Sequence, residues 1–142
     1  MAADPGEILP PRDLPVFDRE TLREFAAASG DRNPIHLDPA VARGAGYPDV
    51  FAHGMLSAAH LAAFVTAWRP QARLRSLRIR FTAVTPLDAQ PTCRGHVDAV
   101  EDGVATVSLS VTLADGTRSI DAVALVDVGD DHHRPSERHG LT

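Results

Sequence analysis

Residues 55–68, MLSAAHLAAFVTAW, contain no Asp, Glu, Lys or Arg and spread apolar side chains over nearly every face of a helix. A helix that is apolar all round is a buried helix. At about 1.5 Å per residue the segment is roughly 21 Å long, whereas a bilayer span needs about 20 apolar residues. It therefore reads as the centre of a small domain, and Pro70 lies just beyond its end. Whatever else the chain folds into has to wrap this helix.

From residue 73 onward the hydrophobic period changes to two. Leu77, Ile79, Phe81 and Ala83 alternate with Arg78, Arg80 and Thr82, and Cys93, Gly95, Val97 and Ala99 alternate with Arg94, His96 and Asp98. Ala105, Val107, Leu109, Val111 and Leu113 alternate with Thr106, Ser108, Ser110 and Thr112, and residues 118–128 form a fourth, more uniformly apolar run. Asp102-Gly103 and Asp115-Gly116 stand between runs, where hairpin turns need positive φ. The pattern predicts an antiparallel meander with one apolar face. A buried helix and a half-apolar sheet satisfy each other when the sheet curls around the helix, which makes an α+β domain. A chain of 142 residues with 44% apolar content suits one such domain. Cys93 is the lone cysteine, so no internal disulfide is possible, and it is expected as a small core residue.

The flanks read differently. Residues 1–13 are expected as an extended arm draped over the surface, since Pro5, Pro10, Pro11 and Pro15 crowd this end. Asp18 can cap a helix over about 19–28, with Gly30 as its stop. Residues 40–46 suit a short helical turn and 47–54 a loop. The domain is expected to end near residue 128, leaving 129–142 as a disordered polar tail whose three histidines are solvated. A net charge of −5, with all 14 basic residues Arg, argues against nucleic acid as partner. The acidic, Pro-rich start shows no apolar signal segment and no run is long enough for a membrane, so a cytoplasmic protein is expected.

The chemistry concentrates in SGDRNPIHLDP, residues 29–39. Asn33-Pro34 favours a turn, and a fixed turn can aim the Asp31 carboxylate and the His36 imidazole into one cavity. Histidine trades protons near neutrality, and a neighbouring carboxylate orients it or shares the transfer. The bland alternative leaves Asp31 capping a turn and His36 as a satisfied polar residue. A metal site from Asp31, His36 and Asp38 is not expected, because a hard ion wants more carboxylates and zinc more His or Cys. The second feature is AHGM, residues 52–55, at the start of the buried helix. Unpaired N–H groups there, with Gly54 allowing close approach, suit an oxyanion-type donor, and the bland alternative leaves Gly54 as a simple helix entry. His53 is expected as a structural hydrogen-bonder, and His60 and Trp68 as core or interface residues.

Gly30, Asp31, Asn33, Pro34, His36, Asp38 and Pro39, followed by His53, Gly54 and Met55, resemble the hydratase-2 motif of MaoC-like dehydratases. The segments FVTAW and IRFTAVTPL further resemble the catalytic subunit of mycobacterial-type (3R)-hydroxyacyl-ACP dehydratases. The resemblance implies a hot-dog fold and reversible hydration of trans-2-enoyl thioesters to (3R)-3-hydroxyacyl thioesters, carried by CoA or acyl carrier protein. It implies Asp31 and His36 as the acid-base dyad and Gly54 as the oxyanion donor. Asn33, Pro34, His53 and Met55 would shape the loop or touch substrate. No metal and no cofactor beyond the substrate's own CoA or phosphopantetheine are implied, and the partner is a second hot-dog subunit, identical or not. Two alternatives share the fold: a non-catalytic partner subunit of a heterodimer and an acyl-thioesterase.

Overall fold

The computed structural model describes residues 3–129; the expected tail at 129–142 falls outside them but for Gly129. Strand β1 (Ile8–Asp13) leads to helix α1 (Arg19–Ser29), a 3-10 turn at Pro34–His36, helix α2 (Pro39–Gly44) and helix α3 (Gly54–Trp68). Strands β2 (Leu74–Phe81), β3 (Thr92–Glu101), β4 (Val104–Thr112) and β5 (Arg118–Asp127) follow. All pairings are antiparallel in one sheet of order β1-β3-β4-β5-β2. Helix α3 packs against β2, β3, β4 and β5. The sheet carries register shifts in β1, β2 and β3 and between β4 and β5. Such bulges bend strands and increase twist, which lets a five-stranded sheet curl around one helix.

Local chemistry explains the boundaries. Asp18 accepts a hydrogen bond from the Thr21 N–H at 2.8 Å and caps α1. Gly30 ends α1 at φ 78°, where its N–H donates to the Ala26 carbonyl. Asp102 and Gly103 both adopt positive φ, 51° and 74°, and close the tight β3–β4 hairpin between Glu101 and Val104. The core is one cluster in which Leu56, Leu61, Phe64 and Val65 of α3 meet Cys93, Val97, Val107, Val111, Ile120 and Val126 of the sheet. Cys93 is fully buried, and burial pushes its thiol up to about 11. Among the described residues no helix is long and apolar enough to cross a membrane.

Four details depart from the sequence reading. The N-terminal arm is not draped over the surface: Ile8–Asp13 forms the edge strand beside β3, and Leu9 and Leu14 are buried. Pro10 and Pro11 are tolerated because an edge strand leaves one row of N–H groups unused, and the pairing shifts between Leu9 and Arg12. The meander covers β3 to β5 only, since β2 lies beside β5 and residues 82–91 cross back to β3. A bulge between Val97 and Ala99 flips the alternation, so Val100 rather than Ala99 joins the core. Finally, α3 is not covered all round: Met55, Ala59, Ala63 and Ala67 face outward in the single chain. Alanine is apolar enough to blur the pattern and small enough to bear exposure.

The core contacts set a measurable expectation. Leu61 is fully buried on α3, so Leu61→Ala should cost about 2–5 kcal/mol in urea unfolding. A Cβ on Gly95 would lie 2.7 Å from Leu109 Cδ2 and 3.3 Å from Leu9 Cδ2, so Gly95→Ala should cost roughly 1–3 kcal/mol. An unchanged unfolding midpoint in either variant would contradict this packing.

Candidate active site

The polar stretch is a chain of side chains each holding its own backbone. The Asp31 carboxylate accepts from the Asn33 N–H at 3.2 Å, the Asn33 side-chain oxygen from the Ile35 N–H at 3.2 Å, and the Asp38 carboxylate from the Ala40 N–H at 2.9 Å. Asn33 thereby caps the 3-10 turn opened by Pro34, and Asp38 caps α2, opened by Pro39. Asn33 and Pro34 accordingly serve the loop's shape. Asp38 is committed to its cap and lies apart from the cluster described next.

Three donor-bearing side chains converge: a carboxylate oxygen of Asp31 and one ring nitrogen each of His36 and His53 lie within 4.8 Å of one another. His36 Nδ1 is 2.8 Å from the Phe51 carbonyl oxygen. A carbonyl only accepts, so Nδ1 carries the proton and Nε2 of the neutral ring keeps its lone pair. His53 Nε2 is 2.9 Å from the Asp31 carbonyl oxygen and by the same logic donates to it. His53 is 1% exposed, stacks on His36 with ring centroids 3.9 Å apart, and meets Phe25 edge-on. Burial pushes the His53 imidazole below its ordinary value, and the neighbouring His36 adds to the shift. A neutral His53 spares His36 a second positive charge at stacking distance.

Asp31 and Gly54 line one cavity of about 480 Å³, together with Phe51, Met55, Ser57 and Phe81. Gly54 is the first residue of α3, where N–H groups have no intrahelical acceptor. A Cβ there would come within 2.9 Å of the Phe81 ring, so a larger residue would have to push that exposed ring aside. Backbone bonds lace the walls together. The Ala52 N–H donates to the Thr85 carbonyl at 2.9 Å, Phe51 bridges Pro86, and the Thr82 N–H donates to the Ser119 carbonyl at 3.0 Å.

One expectation is corrected. His36 does not line the cavity beside Asp31 but borders a smaller recess with Leu37, Pro39 and Val50. The cause is its bond to Phe51, which turns the ring against the 47–54 loop. Its link to the cavity runs through Asp31: atoms less than about 5.6 Å apart can share one hydrogen-bonded water, and the separation here is at most 4.8 Å. His53 is the structural hydrogen-bonder expected, and Met55 lies at the cavity mouth, 58% exposed. Sequence reasoning missed the Phe51 carbonyl, Ser57 and the role of Phe81. Backbone acceptors leave no residue-type signal, and the alternation placed Phe81 in the core.

His53 sets a pH dependence. Its native pKa lies below the ordinary 6.5, so the unfolded chain takes up the proton first as pH falls, and stability is lost from about pH 6.5 downward until the native value is reached. His53→Gln keeps a donor and removes this titration. The stability advantage of wild type over His53→Gln should therefore shrink between pH 7.5 and pH 5, followed by thermal melting. A gap independent of pH would contradict a neutral buried His53.

Comparison with known proteins places this geometry. The model of the MaoC-like domain matches residues 4–116. Over 80 residues the chain is 38% identical to the 3-hydroxyacyl-thioester dehydratase X of Mycobacterium tuberculosis, covering 56% of this chain and 29% of that protein. The chain thus aligns with less than a third of that relative's length. Among solved structures, an R-hydratase from Pseudomonas aeruginosa superposes with a TM-score of 0.76 at 26% identity, covering 90% of this chain and 83% of the other. A chain of the ChsH1–ChsH2 complex from Mycobacterium tuberculosis gives 0.79 at 24%, covering 89% and 98%, a likeness of fold. A five-stranded antiparallel sheet curled on a central helix is the hot-dog architecture of these neighbours. With four-fifths of its length matched, the chain belongs to the MaoC-like domain family.

Proposed function

We propose that the protein reversibly adds water to trans-2-enoyl thioesters, giving (3R)-3-hydroxyacyl thioesters on CoA or an acyl carrier protein. The observation that carries this reading is the His36 Nδ1–H bond to the Phe51 carbonyl, which leaves Nε2 as a free base on a ring that has one nitrogen within 4.8 Å of an Asp31 carboxylate oxygen. In hydration, His36 and Asp31 hold a water over C3. One of the pair takes its proton as the C3–O bond forms, and the thioester oxygen receives the electron pair. The Gly54 N–H, at the positive end of α3, stabilises that enolate oxygen. A proton then reaches C2. In dehydration the same group returns its proton to the leaving hydroxyl. No metal or separate cofactor enters any step.

A second hot-dog subunit is part of the reading. The outward row Met55, Ala59, Ala63 and Ala67 on α3 and the free edge of β2 are the surfaces it would cover. The ChsH1–ChsH2 and HadBC structures are complexes of this kind. Retention of both Asp31 and His36 favours the catalytic role over that of a silent partner subunit.

Crotonyl-CoA hydration, followed by loss of enoyl absorbance, tests the assignment. His36→Ala and Asp31→Asn should each lower turnover by at least about 10²-fold, with the circular dichroism spectrum retained. Near-normal turnover in either variant would overturn the dyad. Release of free thiol from acyl-CoA without hydration would point instead to a thioesterase.

A further inference from the structure

Ser57 carries a feature that the dyad and Gly54 leave unused. It is 1% exposed and is one of the residues that line the same cavity as Asp31 and Gly54, and its buried Oγ has no hydrogen-bond partner. Buried hydroxyls without a partner are rare in folded proteins, because their lost hydration goes uncompensated. The usual local remedy for a helical serine is a bond to the carbonyl four residues back. Here that is the His53 carbonyl, which accepts the Leu56 N–H at 3.0 Å, and the Ser57 hydroxyl makes no bond to it. Thr66, on the same helix, does take that remedy, bonding the Ala62 carbonyl at 2.9 Å. The contrast singles out Ser57 as a hydroxyl held in reserve for something that enters the cavity.

Its position says what that is. Residues three apart share a helix face, and helical side chains lean back toward the N-terminus. Ser57 therefore leans over the turn begun by Gly54, which has no side chain of its own. On the other side the Phe81 ring closes on Gly54 so tightly that a Cβ would sit 2.9 Å from it. Gly54 and Ser57 thus border one corner of the cavity beside the Phe81 ring. Both can donate, and an oxygen that gains negative charge can accept from both.

Resting on the hydration reading above, we propose that the Ser57 hydroxyl is a second donor to the substrate's thioester oxygen, completing an oxyanion hole with the Gly54 N–H. A carbonyl oxygen matches this hydroxyl because it can only accept. His53 Nδ1, the other unpartnered buried atom nearby, is a lone pair and cannot serve that oxygen. The rival occupant is a buried water bridging Ser57 Oγ and His53 Nδ1, which would make Ser57 a structural residue only.

The test uses the intact protein, with Ser57→Ala and Ser57→Thr beside wild type. Removing one oxyanion donor typically costs about 10²-fold or more in kcat. Ser57→Ala should therefore lose about that in kcat for crotonyl-CoA with little change in KM, while Ser57→Thr, which keeps the hydroxyl, stays within several-fold of wild type. Binding of 2,4-hexadienoyl-CoA supplies a readout that packing alone would not move. Polarisation of its thioester carbonyl shifts its absorbance to longer wavelength, and Ser57→Ala should shrink that red shift with the melting temperature nearly unchanged. A wild-type red shift in Ser57→Ala, or wild-type kcat, would overturn the assignment and leave the hydratase reading intact. A drop in melting temperature with kcat and red shift preserved would identify the bridging-water role and equally overturn it. Absence of crotonyl-CoA hydration by wild type would remove the reading on which the assignment rests.

Discussion

Burial of one helix organises the molecule. Leu56, Leu61, Phe64 and Val65 of α3 fill the concave face of a sheet that would otherwise expose Cys93, Val97, Val107, Val111, Ile120 and Val126. Neither element hides its apolar surface without the other. The same burial sets where the first turn of α3 sits, with Gly54 against Phe81 at the end of β2. The positive helix end therefore borders the cavity, with core packing along α3 behind it and a hydrogen-bonded loop before it.

The loops around the cavity are secured differently, mostly through backbone oxygens. The Phe51 carbonyl orients His36, the Asp31 carbonyl is held by His53, and the Thr85 carbonyl holds Ala52. These bonds tie residues 31–36, 51–53 and Thr85 into one wall although they are far apart in sequence. Strand edges and helix caps consume the remaining local donors, which is why Asn33 and Asp38 serve their own turns and not the cavity. The proposed acid-base pair thus sits on a loop hydrogen-bonded to its neighbour, with the tautomer of each histidine set by a carbonyl.

Much of this was legible before any coordinates. Periodicity gave a buried helix and four strands, and short-range chemistry gave the Asp18 and Gly30 caps and the Asp102-Gly103 hairpin. These signals are local, so they survive reading one chain alone. The order of strands was not legible, because alternation says which face a residue takes but not which strand lies beside it. Proline in residues 5–15 hid β1, since the edge position that tolerates it is a tertiary fact. At the site, residue type and spacing made Asp31, His36 and Gly54 candidates, and the resemblance to the hydratase-2 motif supplied their expected roles. The Phe51 carbonyl has no residue-type signature, and a lone serine in an apolar helix gives no hint that its hydroxyl faces a cavity. The turn of His36 into its own recess follows from that carbonyl and was invisible for the same reason.

The account rests on addition of water from one side of an enoyl thioester, with His36 and Asp31 on the water side and the α3 N-terminus at the thioester oxygen. The stereochemistry of the product tests it most directly. Crotonyl-CoA incubated with the protein and resolved on a chiral column should give (3R)-3-hydroxybutyryl-CoA alone. The (3S) product, a racemate, or free CoA in place of a hydroxyacyl thioester would contradict the account.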